Sequence, residues 1–167
     1  MSPGEKEPSA LQHKARNEAT VRFETIQAFE EQVTLFKYLS PVECHVMYKL
    51  TDKVHYEDGE AILVEGEPGT GLHIIESGEV IVSKKSREGG SVKLAVIGQY
   101  GHFGEMSILN NQPASTSIIA SGPVDVLVMT RTQFTNLIQR SEALGVRILR
   151  ALCEELSNRL REARRST

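Results

Sequence analysis

The sequence predicts a mainly β domain, a small antiparallel β-roll carried between flanking helices. Two changes of texture predict it. Between about residues 54 and 130 the helical period of apolar residues disappears, and nearly all of the 13 glycines fall there between short runs rich in Val and Ile. Such punctuation means short strands joined by tight turns. On both sides of that stretch the apolar residues return to three- and four-residue spacing, which means amphipathic helices. At 167 residues and 40% hydrophobic content the chain supports one core with peripheral helices.

Taken in order, residues 1–17 carry Pro3, Gly4, Pro8 and Ser9 among charges and read as a flexible tail. The domain then spans 18–167, with N-terminal helices over 18–53, the roll over 54–130 and C-terminal helices over 131–167. From Glu18 to Phe36, Val21, Phe23, Ile26, Phe29, Val33 and Phe36 mark one amphipathic helix that carries a break. In "LSPVECHVMYKL", Ser40 caps a second helix, with Pro41 at its first position and Glu43 completing a capping box.

The strand runs are "AILVEG", "GLHIIESG", "EVIVSKK", "SVKLAVIG", "STSIIAS" and "VDVLVMT". Hairpin signals stand at Ser77-Gly78 and at Arg87–Gly90, and a continuous antiparallel barrel or roll follows. "FGEMSIL" interrupts the strands with a short helix-like run. An interruption of a regular scaffold is where ligands tend to sit. In "EGEPGTGLHII", Gly69 and Gly71 read as turn residues with positive φ, because neither a P-loop ending nor dinucleotide spacing is present. In the terminal helix Leu149, Leu152, Leu156, Leu160 and Ala163 form a seam about three heptads long once Gly145 is included, which predicts a dimer.

Several function classes recede on composition. The formal net charge of -3 argues against nonspecific nucleic-acid binding. No run approaches the roughly 18 apolar residues of a membrane span, and no secretory leader is evident, so a soluble cytoplasmic protein without membrane contact is expected. Cys44 and Cys153 lack metal-ligand spacing and read as packing residues, and His55, His73 and His102 read as packing or surface residues. No nucleophile elbow or other catalytic constellation occurs, so no enzyme, catalytic residue or metal is expected.

The motifs "LFKYLSPVE" (35–43), "ILVEGEPGTGLHIIESGEVIV" (62–82), "GHFGEMSIL" (101–109) and "SNRLREA" (157–163), in this order, resemble the cyclic nucleotide-binding domain. That is the sensor module of catabolite-activator-type regulators, cyclic-nucleotide-dependent kinases and gated channels. The resemblance covers about residues 33–164. It implies a jelly-roll-like β-roll with an inserted phosphate-cassette helix and a long C-terminal helix. It also implies a single-domain bacterial-type member with cAMP or cGMP as ligand and no required cofactor.

On that resemblance the ligand-binding residues are Phe103, Gly104, Glu105, Met106, Ser107, Ala114, Ser115, Thr116 and Ser117. Glu105 inherits a hydrogen bond from the ribose 2′-hydroxyl, since a carboxylate would repel the phosphate. Arg159, Arg161 and Arg164 are possible caps for the base, and the same cluster also suits a solvated helix end whose cations complement the dipole.

One departure stands out. Where the family places an arginine after the proline, this chain has Ala114 after Pro113, followed by Ser115, Thr116 and Ser117. Hydroxyls donate to phosphate oxygens and do not neutralise them. A lost charge-assisted hydrogen bond is worth about 1.5–3 kcal/mol, or roughly one to two decades of affinity. Two functions therefore fit the sequence. One is a cyclic nucleotide sensor, for cAMP, cGMP or a related phosphate-bearing ligand, that signals to a protein partner through its terminal helix. The other is a degenerate fold that binds none of the usual nucleotides and serves as a docking or dimerisation unit through residues 141–164. Direct DNA binding is not expected, because nothing after the terminal helix forms a helix-turn-helix.

Overall fold

The computed structural model describes residues 24–166, so the expected N-terminal tail lies outside the described residues. The first helix, α1, covers 24–32 and ends at a break near Val33, followed by a 3-10 turn at Thr34–Phe36. Helix α2, Pro41–Leu50, starts on the expected capping box. The Ser40 side chain accepts from the Glu43 N–H at 3.3 Å, and the Ser40 N–H donates to the Glu43 carboxylate at 2.8 Å. Two orphan donors of the first turn are thereby satisfied, which fixes where the helix begins.

Six antiparallel strands follow: β1 Asp52–Tyr56, β2 Ala61–Leu63, β3 Leu72–Lys85, β4 Ser91–Ile97, β5 His102–Phe103 and β6 Ser117–Met129. Helix α3, Glu105–Leu109, sits between β5 and β6, and α4, Arg131–Arg140, and α5, Glu142–Arg165, close the chain. The ladder order is β1-β6-β3-β4, with β2 on β6 and β5 on β3. The long strands β3 and β6 are the spine, and the sheet is open rather than a closed barrel.

Two expected turns are not turns. Ser77-Gly78 does not reverse the chain, and the runs on its two sides form the single strand β3. Likewise "STSIIAS" and "VDVLVMT" join through Gly122 into β6. Register shifts between Ile75, Ser77 and Glu79 make this a pair of bulges. Gly78, at φ 87°, lies so close to the Pro123 carbonyl that an added Cβ would stand 2.4 Å from its oxygen. The other signal holds: β3 and β4 are joined at Ser86–Gly90, with positive φ at Gly89 and Gly90.

The apolar residues form two cores. One lies between the sheet and the helices and includes Phe29, Phe36, Leu72, Met129, Ile148 and Leu152. The other fills the roll with Ile75, Val80, Phe103, Val124 and Val126. Burying each such side chain contributes about 1.5–3 kcal/mol, and Ile108 of α3 belongs to the first core, so burial itself holds that short helix in place. Leu152, expected on the dimer seam, faces this core too, and Gly145 packs on Ile138. Of the cysteines, Cys44 is buried as expected, whereas Cys153 is exposed and does not pack in the domain. The reason is its angle on α5, away from the core face of Ile148, Ala151 and Leu152.

Candidate functional site

A cavity of about 430 Å³ opens where β5, α3 and the segment before β6 meet the inner face of β3 and β4. Its geometry begins at Gly104. That residue has φ 79°, and a Cβ there would lie 2.3 Å from the Gly71 carbonyl oxygen, so only glycine enters α3 in this way. A second close approach supports α3 from below: a Cβ on Gly69 would meet the Ser107 Cβ at 2.6 Å. Gly69 therefore does not supply positive φ as expected; its role is proximity, while Gly71 does have positive φ.

Phe103 and His73 are cross-strand partners, and their rings stack with centroids 4.8 Å apart. Ser107 turns its hydroxyl back to donate to the Gly104 carbonyl at 2.9 Å. The wall opposite is Ala114, whose N–H donates to the Glu67 carbonyl at 2.9 Å and whose carbonyl accepts from Gly66 at 2.8 Å. This exchange pins the "PAST" segment to the 66–67 turn, with the Ala114 side chain at the cavity.

Of the expected ligand residues, Phe103, Gly104, Glu105, Met106, Ser107, Ala114, Ser115 and Thr116 all line the cavity. Ser117 does not, because its hydroxyl is turned to accept from the Glu65 N–H at 3.0 Å as β6 begins. Of the three helix arginines, only Arg159 borders the cavity. Arg161 instead donates to Asn158 within its own helix at 3.0 Å, and Arg164 lies further along the exposed end. Sequence reasoning missed the apolar wall of Leu63, Val82, Ala95, Ile97 and Ile118. The inward alternation of those strands was its only available signal.

The electrostatics centre on one pair. Glu105 is 6% exposed, and Arg159 Nη1 donates to its Oε1 at 2.6 Å. Arg159 Nη2 donates to His102 Nε2 at 3.2 Å and to the His102 carbonyl at 3.4 Å. A guanidinium has no acceptor, so His102 presents the Nε2 lone pair and is neutral. Burial holds its pKa below the ordinary imidazole value; the Glu105 carboxylate pulls it back up and the Arg159 charge opposes that. Among the residues lining the cavity these two are the sole charges, so the site is as a whole neutral with its charges paired.

The helix carrying Arg159 is anchored one turn earlier. Glu154 accepts from the Tyr38 hydroxyl at 2.6 Å and pairs with Lys37, and those contacts hold its carboxyl down to about 2. Chemically the cavity offers the first turn of a short helix, in which the Ser107 N–H already donates to the Gly104 carbonyl at 3.2 Å, together with two hydroxyls, one carboxylate acceptor and an apolar wall. Among the described residues no cluster of ligating side chains suits a metal ion, and no helix is long and apolar enough to cross a membrane.

The profile of the cyclic nucleotide-binding domain family matches residues 53–141. A cAMP-dependent protein kinase regulatory subunit from Aspergillus niger is 36% identical over 112 residues, 67% of this chain and 26% of that protein. The chain spans 12–29% of the length of the first curated relatives it matches. A cyclic nucleotide-binding domain from Methylobacillus flagellatus superposes with a TM-score of 0.74 at 29% identity, covering 83% of this chain and 81% of that one. A regulatory subunit of a cAMP-independent protein kinase A from Trypanosoma brucei superposes with a TM-score of 0.67 at 25% identity, covering 83% and 48%. That structure carries three substitutions, one of them threonine to arginine, and is described as bound to cAMP in its A site.

Proposed function

The chain belongs to the cyclic nucleotide-binding domain family, and from that premise we propose that it is a regulatory module that takes cAMP or cGMP into the cavity at α3. The observation that carries this reading is the convergence of Gly104, Glu105, Ser115 and Thr116 on one cavity with an apolar wall. The phosphate meets the first turn of α3 and the two hydroxyls, Glu105 accepts from a ribose hydroxyl, and Leu63, Val82 and Ile97 receive the base. Signalling runs through α5 to a partner protein or a second copy of the chain.

α5 suits a second copy. Along α5, Val146, Leu149, Cys153, Leu156, Leu160 and Ala163 stand alternately three and four residues apart; Val146, Cys153, Leu160 and Ala163 are exposed, while Leu149 also packs against the first core. Val146 and Leu160 are 64% and 55% exposed. This is a heptad seam, shifted from the one expected because Leu152 serves the domain's own core.

Ala114 favours a second reading, a fold that keeps the cavity but does not take the usual nucleotides and works as an interaction domain. The Trypanosoma relative, described as cAMP-independent and holding cAMP in a form with an introduced arginine, is the parallel. Calorimetric titration with cAMP and cGMP of the parent chain and of Ala114→Arg separates the two. The sensor reading expects binding by the parent and a gain of roughly one to two decades in the variant. The second reading expects a silent parent, and silence from both removes nucleotide binding altogether.

A further inference from the structure

A phosphate taken into the cavity meets little that neutralises it. Glu105 and Arg159 are the only charges among the lining residues, and they already face each other, Arg159 Nη1 donating to Glu105 Oε1 at 2.6 Å. Arg159 Nη2 donates to the Nε2 and the carbonyl of His102, so both terminal nitrogens are engaged. Helix α3 has five residues, and few peptide dipoles add up at its start. Neighbouring donors are committed as well. The Ser107 N–H and hydroxyl both go to the Gly104 carbonyl, and the Ala114 N–H goes to the Glu67 carbonyl. The Ser115 and Thr116 hydroxyls line the cavity, and these are neutral donors. Burying an anion against neutral donors, beside a carboxylate, has a desolvation cost that such bonds offset only in part.

What the cavity does offer suits the rest of a nucleoside. Glu105 lines it, and Arg159 takes only the Oε1 of that carboxylate. The Oε2 has no hydrogen-bond partner among the described residues and keeps some contact with solvent. A ligand hydroxyl that donates to Oε2 makes a charge-assisted bond and leaves Arg159 where it is. A ribose with free 2′ and 3′ hydroxyls brings two such donors, whereas a 3′,5′-cyclic phosphate leaves only the 2′ one. The wall of Leu63, Val82, Ala95, Ile97 and Ile118 receives a base, and the Ser115 and Thr116 hydroxyls suit a 5′ hydroxyl that has no charge to neutralise. Resting on the reading of this cavity as the ligand site, we propose that it is built for an uncharged nucleoside, recognised by its base and its ribose diol, and that the phosphate of a cyclic nucleotide adds no affinity.

The test is calorimetric titration of the whole chain, parent and Ala114→Arg, with adenosine and guanosine, each beside its cyclic nucleotide, cAMP or cGMP. In the parent at least one nucleoside is expected to bind as tightly as its cyclic nucleotide or more tightly, and the 2′,3′-dideoxy form of that nucleoside at least about tenfold more weakly. In Ala114→Arg the cyclic nucleotide is expected to gain roughly 10–100-fold with the nucleoside unchanged, so that the order of preference moves towards the phosphate. A parent that binds cAMP and cGMP more tightly than their nucleosides, or a dideoxy form that binds as well as its nucleoside, overturns the proposal and leaves the nucleotide-binding reading standing. A parent silent to both nucleosides while Ala114→Arg takes up cAMP or cGMP overturns it as well and shows the cavity intact. Silence of both chains towards all four ligands removes the nucleotide-binding reading, and the proposal with it.

Discussion

His73 lies flat against Phe103, with the ring planes within 9° of each other, directly beneath the turn that enters α3. His73 Nδ1–H donates to the Gly71 carbonyl at 2.9 Å, and Nε2 is left to accept from the Thr70 hydroxyl at 3.3 Å. The ring is fully buried, and burial pushes its pKa down to about 4, the Gly71 contact opposing that only in part. Phe103, which lines the cavity, is therefore backed by a histidine that must remain neutral.

A pH dependence of stability follows. Below the unfolded value of about 6.5 the unfolded chain takes up a proton that native His73 refuses, so stability is full above that pH and falls towards pH 4. Between pH 7.5 and 5 the loss expected from His73 is about 2 kcal/mol, and buried His102 shifts in the same direction. His55 has the opposite sign, since Asp125 and then Glu57 raise its pKa and its contribution is lost as pH rises. Urea denaturation at the two pH values measures the slope, and His73→Gln is expected to flatten it. An unchanged slope in that variant would contradict the account.

Gly104 and Gly122 have similar φ, 79° and 76°, but differ in surroundings. Nothing lies within 4 Å of a Cβ at Gly122, whereas at Gly104 the Gly71 carbonyl oxygen is 2.3 Å away. Gly122→Ala is expected to cost about 1 kcal/mol from backbone strain alone. Gly104→Ala should cost at least about 1–3 kcal/mol more, because α3 has to move. Equal urea midpoints for the two variants would contradict this placement of α3.

Replacing Glu105 by Gln weakens the hold of the roll on the end of α5. Amide hydrogen exchange over residues 155–162 is expected to accelerate in Glu105→Gln, by a factor of roughly 5–10, corresponding to about 1 kcal/mol of lost charge-assisted bonding. Exchange in α4 should not change, since Glu105 makes no recorded bond there.

The heptad seam gives a test of assembly. Sedimentation of the parent chain at rising concentration should show a dimer, and Leu160→Glu should shift it to monomer while leaving the melting temperature of the domain unchanged. Leu160 is 55% exposed and packs in neither core, so a charge there disturbs only the seam.

Local chemistry carried most of the fold into the sequence. The capping box at Ser40 and Glu43, the short helix after Gly104 and the turn at Ser86–Gly90 depend on neighbouring residues and were legible. The bulges at Gly78 and Gly122 were not, because glycine serves a turn and a bulge equally and the partner strand decides between them. The same limit applied to Leu152, whose spacing fits either a seam or a core until α5 is docked. The candidate site was legible in its α3 segment and in Ala114. Its apolar wall comes from four strands, β2, β3, β4 and β6, and the Arg159–Glu105 pair joins residues 54 apart, so neither left a local pattern.

The most direct measurement is a 15N-1H NMR titration of the parent chain with cAMP. The account predicts saturable shifts at residues 103–107 and 114–116, accompanied by shifts in α5 around Arg159. A spectrum unchanged at millimolar cAMP, or shifts confined to surfaces away from this cavity, would contradict it.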